Sequence, residues 1–220
     1  MTSVLKDMSL HPLKTRSKLL CRRDMKLIVA VDKNWGIGKN NGLLFDLKLD
    51  MKHFVEHTRG KVVVMGANTL RSLPNGMPLK NRTNIVLNPD GDLFDAIEKG
   101  YILTTSLDEL LEQINAQEDK EVYVIGGAMM YHTLLPYCDT AYITKVDSDG
   151  GATVFHDNLD NLDNWSCVEM GEPMDDNGYT IRFCTYKNAS PTVFKSTVDK
   201  NKKGVSFEDC VEKFNNRKLK

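Results

Sequence analysis

Short β-rich runs alternate with segments of helical periodicity between residues 26 and 146, and this order predicts an α/β fold with a mostly parallel central sheet. The runs Lys61–Met65 (KVVVM), Thr83–Leu87 (TNIVL) and Glu121–Ile125 (EVYVI) are almost continuously apolar, as strands covered by helices on both faces are. Near the C-terminus, Ser166–Met170 and Tyr179–Tyr186 flank a turn-rich stretch, Pro173–Gly178, and predict an antiparallel hairpin that closes one sheet edge. A chain of 220 residues has room for one such domain with its own core.

In chain order, Lys26–Val31 (KLIVAV) reads as the first strand and Leu47–Thr58 as a helix, followed by the strands at Lys61–Met65 and Thr83–Leu87. Tyr101–Thr104 is a short strand. Ser106–Asn115 is a helix whose start is marked by Ser106 with Glu109 three residues on, a capping-box spacing. The strand Glu121–Ile125 follows, then a helix from about Gly127 to Leu135 and the strand Ala141–Val146. These elements place the domain at residues 25–187, between a basic N-terminal extension (1–24) expected to be disordered and a Lys-rich tail (188–220) with one weak helical pattern near Phe207–Phe214. Met25 opens the first strand and is a plausible alternative start.

Charge follows the same division. Residues 1–24 carry six Lys or Arg against two acids and residues 188–220 eight against four, whereas residues 25–187 hold 15 basic and 24 acidic residues. An acidic centre argues against a nucleic-acid groove, and no apolar run approaches the roughly 20 residues of a membrane span. Five scattered cysteines without a CxxC pair suggest neither a disulfide framework nor a zinc site, which fits a reducing cytoplasm. The histidines are also scattered. His53 and His57 share a helix face, but without the HExxH glutamate they read as surface residues, and no metal is expected.

Ligands of doubly wound sheets sit at the carboxyl ends of strands, where four constellations stand out. Gly126-Gly127 lies between EVYVI and a helix, where small residues let backbone N–H groups approach a phosphate; taken alone, it is equally a tight turn. Gly66-Ala67-Asn68-Thr69 repeats the strand-to-helix arrangement after KVVVM. Asp50 shares a helix face with Phe54; between Lys48 and Lys52 the position by itself favours a solvated surface charge. The loop Trp35–Phe45 is too glycine-rich for helix or strand, yet it carries large apolar residues, as a loop that covers a site does.

The pieces IVAVDKNWGIGKNNGLLF, LKLDMKHF, VVVMGANTLRSLP, PLKNRTNIVL, VYVIGGAMMYHTLLP, AYITKV and ATVFHDN follow one another in the order and spacing of the dihydrofolate reductase family, which the chain resembles over residues 25–187. The resemblance implies reduction of 7,8-dihydrofolate to tetrahydrofolate by hydride transfer from NADPH. It also implies that Asp50 is the single active-site carboxylate, anchoring and polarising the pteridine, with Thr144 fixing its orientation. Ile28, Phe54, Leu73, Leu79 and Ile125 match substrate-binding positions, and Arg82 matches the arginine that pairs with the substrate's α-carboxylate, a task suited to the planar guanidinium fork. Ala30, Ile37, Gly38, Gly66, Asn68, Thr69, Gly126, Gly127, Ala128, Met129 and Tyr131 match cofactor-binding positions. Gly126 and Gly127 match a pair joined in the family by a cis peptide, and the Gly36–Phe45 loop matches a mobile lid that excludes water. A monomer is implied.

The chain departs from the family pattern in places. Ala67 stands where a basic residue usually meets the adenosine 2′-phosphate, and Pro89 and Met129 offer no polar replacement, so NADH use is an expectation alongside NADPH. Phe45 replaces a tryptophan in the lid, and Ala152 replaces an acid that tethers it. Two other readings stay open at this point: a pteridine or pyrimidinone reductase on the same fold, and a non-catalytic folate- or nucleotide-binding module.

Overall fold

A computed structural model describes residues 25–91, 96–117 and 119–192. The N-terminal extension and the weak helical pattern near Phe207–Phe214 lie outside these residues. In order, the elements are β1 (Met25–Val31), β2 (Gly36–Gly38), α1 (Lys48–Thr58), β3 (Val62–Gly66), α2 (Ala67–Ser72), β4 (Thr83–Leu87), α3 (Ala96–Lys99) and β5 (Ile102–Thr104). They continue with α4 (Leu107–Ala116), β6 (Val122–Gly126), α5 (Ala128–Leu134), β7 (Cys138–Val146), β8 (Val154–Phe155), β9 (Trp165–Met170), β10 (Met174–Asp176) and β11 (Tyr179–Asn188).

Nine strands form one sheet in the order β10-β11-β7-β1-β6-β3-β4-β5, with β9 also paired to β11. Every pairing from β7 to β5 is parallel, and β11 joins β7, β9 and β10 antiparallel. The mostly parallel sheet with an antiparallel edge expected from sequence is therefore present. Its edge differs in one respect: β10 intervenes between the two expected strands, so the tight turn at Asn177-Gly178 joins β10 to β11, while β9 pairs further along β11.

Strand alternation divides the core into two layers. Val62, Val64, Ile85 and Leu87 pack with Leu110 and Leu111 of α4 and with Met130 and Leu134 of α5. Val63, Met65 and Val86 face the other way, against Ala67 and Leu70 of α2 and Ala96 of α3. The start of α4 is built as the sequence predicts, with Ser106 Oγ accepting the Glu109 N–H at 3.2 Å and Glu109 reaching back to the Thr105 N–H at 2.7 Å. Loop Trp35–Phe45 contradicts the expectation of no regular structure: Gly36–Gly38 forms a short strand that pairs with Val154–Phe155, because the two loops run antiparallel at close approach.

Helix α1 covers the sheet only partly. Thr58 is its one buried residue, while Asp50, His53, Phe54 and His57, spaced along one face, are half-buried. His53 and His57 are not the surface residues expected from sequence. The His53 ring stacks on Phe183 with centroids 4.1 Å apart, His57 lies 4.1 Å from the Tyr142 ring, and their Nε2 atoms are 3.0 Å apart. Burial first, and the neighbouring His57 second, lower the His53 pKa to about 4.

Candidate active site

Asp50 sits in the first turn of α1, above the carboxyl ends of β1 and β7. Thr144, 1 % exposed on β7, is in register with Ala30 on β1, and its hydroxyl donates a hydrogen bond to the Asp50 carboxylate. Burial raises the Asp50 pKa above the ordinary carboxylate value; the Thr144 bond opposes the rise and the charge of Asp176 adds to it. Tyr131 is buried on α5 and donates its hydroxyl to the Ile28 carbonyl at 2.9 Å. Its phenol is pushed up, mainly by burial and further by the Asp50 charge, so it remains neutral.

The start of α1 is held by a residue that the sequence does not signal. Leu47 at the N-cap has no polar side chain to offer, and the carboxylate of Asp176 accepts the backbone N–H groups of Lys48, Leu49 and Asp50 at 2.9, 2.8 and 3.1 Å. A cap 126 residues away from Asp50 leaves no local motif, and in sequence Asp176 looks like one more turn residue.

Phe54 lies one turn beyond Asp50. The Arg82 guanidinium is 5.7 Å from the Phe54 ring, and it donates from Nε to Thr58 Oγ1 at 2.8 Å and from Nη1 to the Lys80 carbonyl at 2.9 Å. It is thus an oriented, half-buried cation rather than a freely solvated one. Leu73, Leu79 and Ile125 are partly buried against the layer built on Val63 and Met65, and Ile28 is buried on β1. Of the residues expected on the substrate side, Asp50 with Thr144 and Phe54 with Arg82 are brought together in pairs, and Leu73, Leu79 and Ile125 share one layer.

The dinucleotide-side residues converge through strand register. Met65 of β3 pairs with Gly126 of β6, so the two strand-to-helix turns lie side by side. The Gly126-Gly127 peptide bond is cis, and Gly126 has φ +122°. A Cβ at Gly126 or Gly127 would stand 3.4 or 3.3 Å from Thr69 Oγ1, and one at Gly66 would stand 3.3 Å from Met130 Cγ. With no Cβ, these glycines leave space beside the Thr69 hydroxyl at the start of α5, where Ala128 and Met129 are half-buried. Asn68 is exposed and accepts from Arg71 at 3.1 Å; Ala67 is buried, and Pro89 is exposed.

Ala30, Ile37 and Gly38 border the lid. Its base is fixed by Asp32, which is 3 % exposed and accepts the N–H groups of Asn34, Gly36 and Gly150 at 2.8, 2.7 and 3.2 Å. Ala152 lies so close to Gly36 that a Cβ there would be 2.3 Å from its own. Backbone bonds tie the two loops, Thr153 N–H to the Gly38 carbonyl at 3.0 Å and His156 N–H to the Trp35 carbonyl at 2.8 Å. At the lid's other end the Phe45 ring lies 4.8 Å from the Tyr179 ring. Among the described residues no three His, Cys, Asp or Glu side chains converge as a metal site would, and no helix is long and apolar enough to cross a membrane.

The family model described as "Dihydrofolate reductase" matches residues 24–188. Dihydrofolate reductase of Bacillus subtilis is 35% identical over 172 residues, covering 76% of this chain and 96% of that protein. Dihydrofolate reductase type 3 of Salmonella typhimurium is 36% identical over 166 residues, covering 73% and 96%. Among solved structures, dihydrofolate reductase from Enterococcus faecalis, complexed with NADP(H) and RAB-propyl, superposes with a TM-score of 0.65 at 30% identity, covering 74% of this chain and 95% of that one. A family model matched over most of the chain, together with relatives at 35% and 36% identity covered almost end to end, shows that this chain belongs to the dihydrofolate reductase family.

Proposed function

We propose that Asp50, held by Thr144 in the cleft beneath α1, anchors the pteridine in this enzyme's reaction. The chain is an NADPH-dependent oxidoreductase that reduces 7,8-dihydrofolate to 5,6,7,8-tetrahydrofolate. Bound NADPH supplies the hydride that is received at C6 of the pteridine. The Asp50 carboxylate accepts paired hydrogen bonds from the amidine-like edge of the ring, and the Thr144 hydroxyl keeps the carboxylate in the plane those bonds require. Anchored in this way, the ring is polarised toward taking its proton at N5 from water. Ile28, Phe54, Leu73, Leu79 and Ile125 wall the ring and the benzoyl group, and Arg82 takes the α-carboxylate of the glutamate. On the other side, Ala30, Ile37, Gly38 and Tyr131 border the nicotinamide, and Gly66, Asn68, Thr69, Gly126, Gly127, Ala128 and Met129 hold the phosphates and adenosine.

The observation that carries this reading is the Asp50 carboxylate itself, bonded to Thr144 and raised in pKa by burial, since an ordinary surface acid has neither feature. Mixing the protein with dihydrofolate and NADPH and following nicotinamide absorbance tests it. Asp50→Asn is expected to lower kcat/KM by about a thousandfold, and an unchanged rate would overturn the role. Because Ala67, Pro89 and Met129 leave the 2′-phosphate without a cation at those positions, NADH serves as a second, weaker hydride donor. The catalytic unit is residues 25–187, acting as a monomer in the cytoplasm.

A further inference from the structure

We propose that Asp176 is a positioning residue for this reaction: from the β10–β11 turn it fixes the first turn of α1, and with it Asp50, and joins that carboxylate to the end of the lid. The inference rests on the anchoring role of Asp50 and adds a residue that acts through it.

Three observations converge. Asp176 is 3 % exposed, and its two oxygens take the N–H groups of Lys48, Leu49 and Asp50, so one side chain serves three of the four N–H groups that a helix leaves unpaired at its start. A carboxylate so placed is favoured by the positive end of the helix and by charge-assisted bonds. Asp50 is itself one of the three residues held, so the position of its backbone is set directly by Asp176.

The same turn grips the segment just before the helix. Asn177, at φ 58°, donates its side-chain amide to the Asp46 carbonyl at 3.0 Å, and Tyr179 packs its ring on Phe45 at 4.8 Å. Residues 45, 46 and 48–50 are therefore clasped by one hairpin, and the lid's end cannot shift without straining the bonds that seat Asp50. A helix cap alone needs none of the contacts to Asp46 and Phe45.

The groups that face Asp50 are Asp176 from β10, Tyr131 from α5 and Thr144 from β7. Among them only Asp176 carries charge, since Tyr131 is neutral. Removing that charge removes a repulsion, so the Asp50 carboxyl should ionise more readily even as its position loosens.

The test uses the full chain with Asp176→Asn, and with Asp175→Asn as an exposed neighbour whose change should leave activity alone. The expected result is an acid limb of the kcat/KM profile moved to lower pH, kcat/KM lower by about tenfold at neutral pH, and a raised KM for dihydrofolate with the KM for NADPH unchanged. An acid limb that stays in place, with both KM values unchanged and only Tm lowered, would reduce Asp176 to a helix cap and overturn the proposal. Asp50→Asn separates this from the parent reading: if that variant keeps full turnover, the anchor itself is wrong, whereas if it is inactive the Asp176→Asn profile speaks to the clasp alone. Should Asp176→Asn not fold, Asn177→Ala decides, since it removes the bond to the Asp46 carbonyl and leaves the cap in place. A raised KM for dihydrofolate with the KM for NADPH unchanged supports the clasp, and two unchanged KM values overturn it.

Discussion

The half of the cleft proposed for the substrate presents charged and hydroxyl side chains, Asp50, Thr144 and Arg82, each fixed by a second residue, whereas the half proposed for the dinucleotide presents backbone at Gly66, Gly126 and Gly127 beside Thr69. The difference follows from what each half must bind. A flat ring with a fixed pattern of donors is oriented by a few directional bonds in an apolar cleft, where a lost bond is expensive. A diphosphate is held by many weak backbone donors, for which close approach counts for more than any one side chain. Single substitutions should therefore cost more on the substrate side than on the dinucleotide side.

The sharpest break of this comparison after Asp50→Asn is Arg82→Leu. It removes an oriented fork, and the KM for dihydrofolate should rise by about thirtyfold while the KM for NADPH stays unchanged. A rise in both would mean that the halves are not separable. Thr144→Val should lower kcat/KM by about tenfold. The hydrogen bond it removes favours the Asp50 carboxylate, so the Asp50 pKa climbs further and the acid limb of the profile moves to higher pH. This is opposite in sign to Asp176→Asn, and a shift in the same direction for both variants would contradict the assigned causes.

On the dinucleotide side, the kcat/KM ratio of NADPH to NADH should be below about a hundredfold, because one 2′-phosphate without its cation at position 67 loses about one charge-assisted bond. A larger ratio would mean that a cation elsewhere in this half holds the 2′-phosphate.

The smallest effect expected concerns stability. His53 is neutral in the folded protein down to about pH 4, whereas an exposed histidine protonates near 6.5. The unfolded chain thus binds more protons across that window, and the stability that His53 contributes above pH 6.5 is lost as pH falls toward 4. His53→Phe keeps a ring on Phe183 and removes the titration, so the fall in Tm between pH 6.5 and 4 should be shallower by a few degrees. An identical fall in both proteins would show that other groups carry it.

The sequence by itself determined the order of elements, the parallel core and the antiparallel edge, because these depend on local apolar periodicity and on turn residues that act over a few positions. It also carried the resemblance that implies the ligand class: Asp50 and the Gly126-Gly127 pair are ambiguous one at a time, and the ordered run of pieces from IVAVDKNWGIGKNNGLLF to ATVFHDN is what points to the family. Ser106 and Glu109 showed their cap in advance, since both partners lie within one helical turn.

Only the tertiary structure decided what depends on residues far apart in the chain. Asp176 meets the start of α1 from more than 120 residues away, and Asp32 meets Gly150 across 118. His53 and His57, which by pattern belong at the surface, are half-buried because α1 happens to lie across Tyr142 and Phe183. The short β2–β8 pairing arises in the same way: neither strand has a periodic signal of its own, and each exists because the other is beside it. Local propensity is written along the chain, but a contact between distant residues is settled by how the sheet twists and how its layers pack, and no short window of residues contains that information.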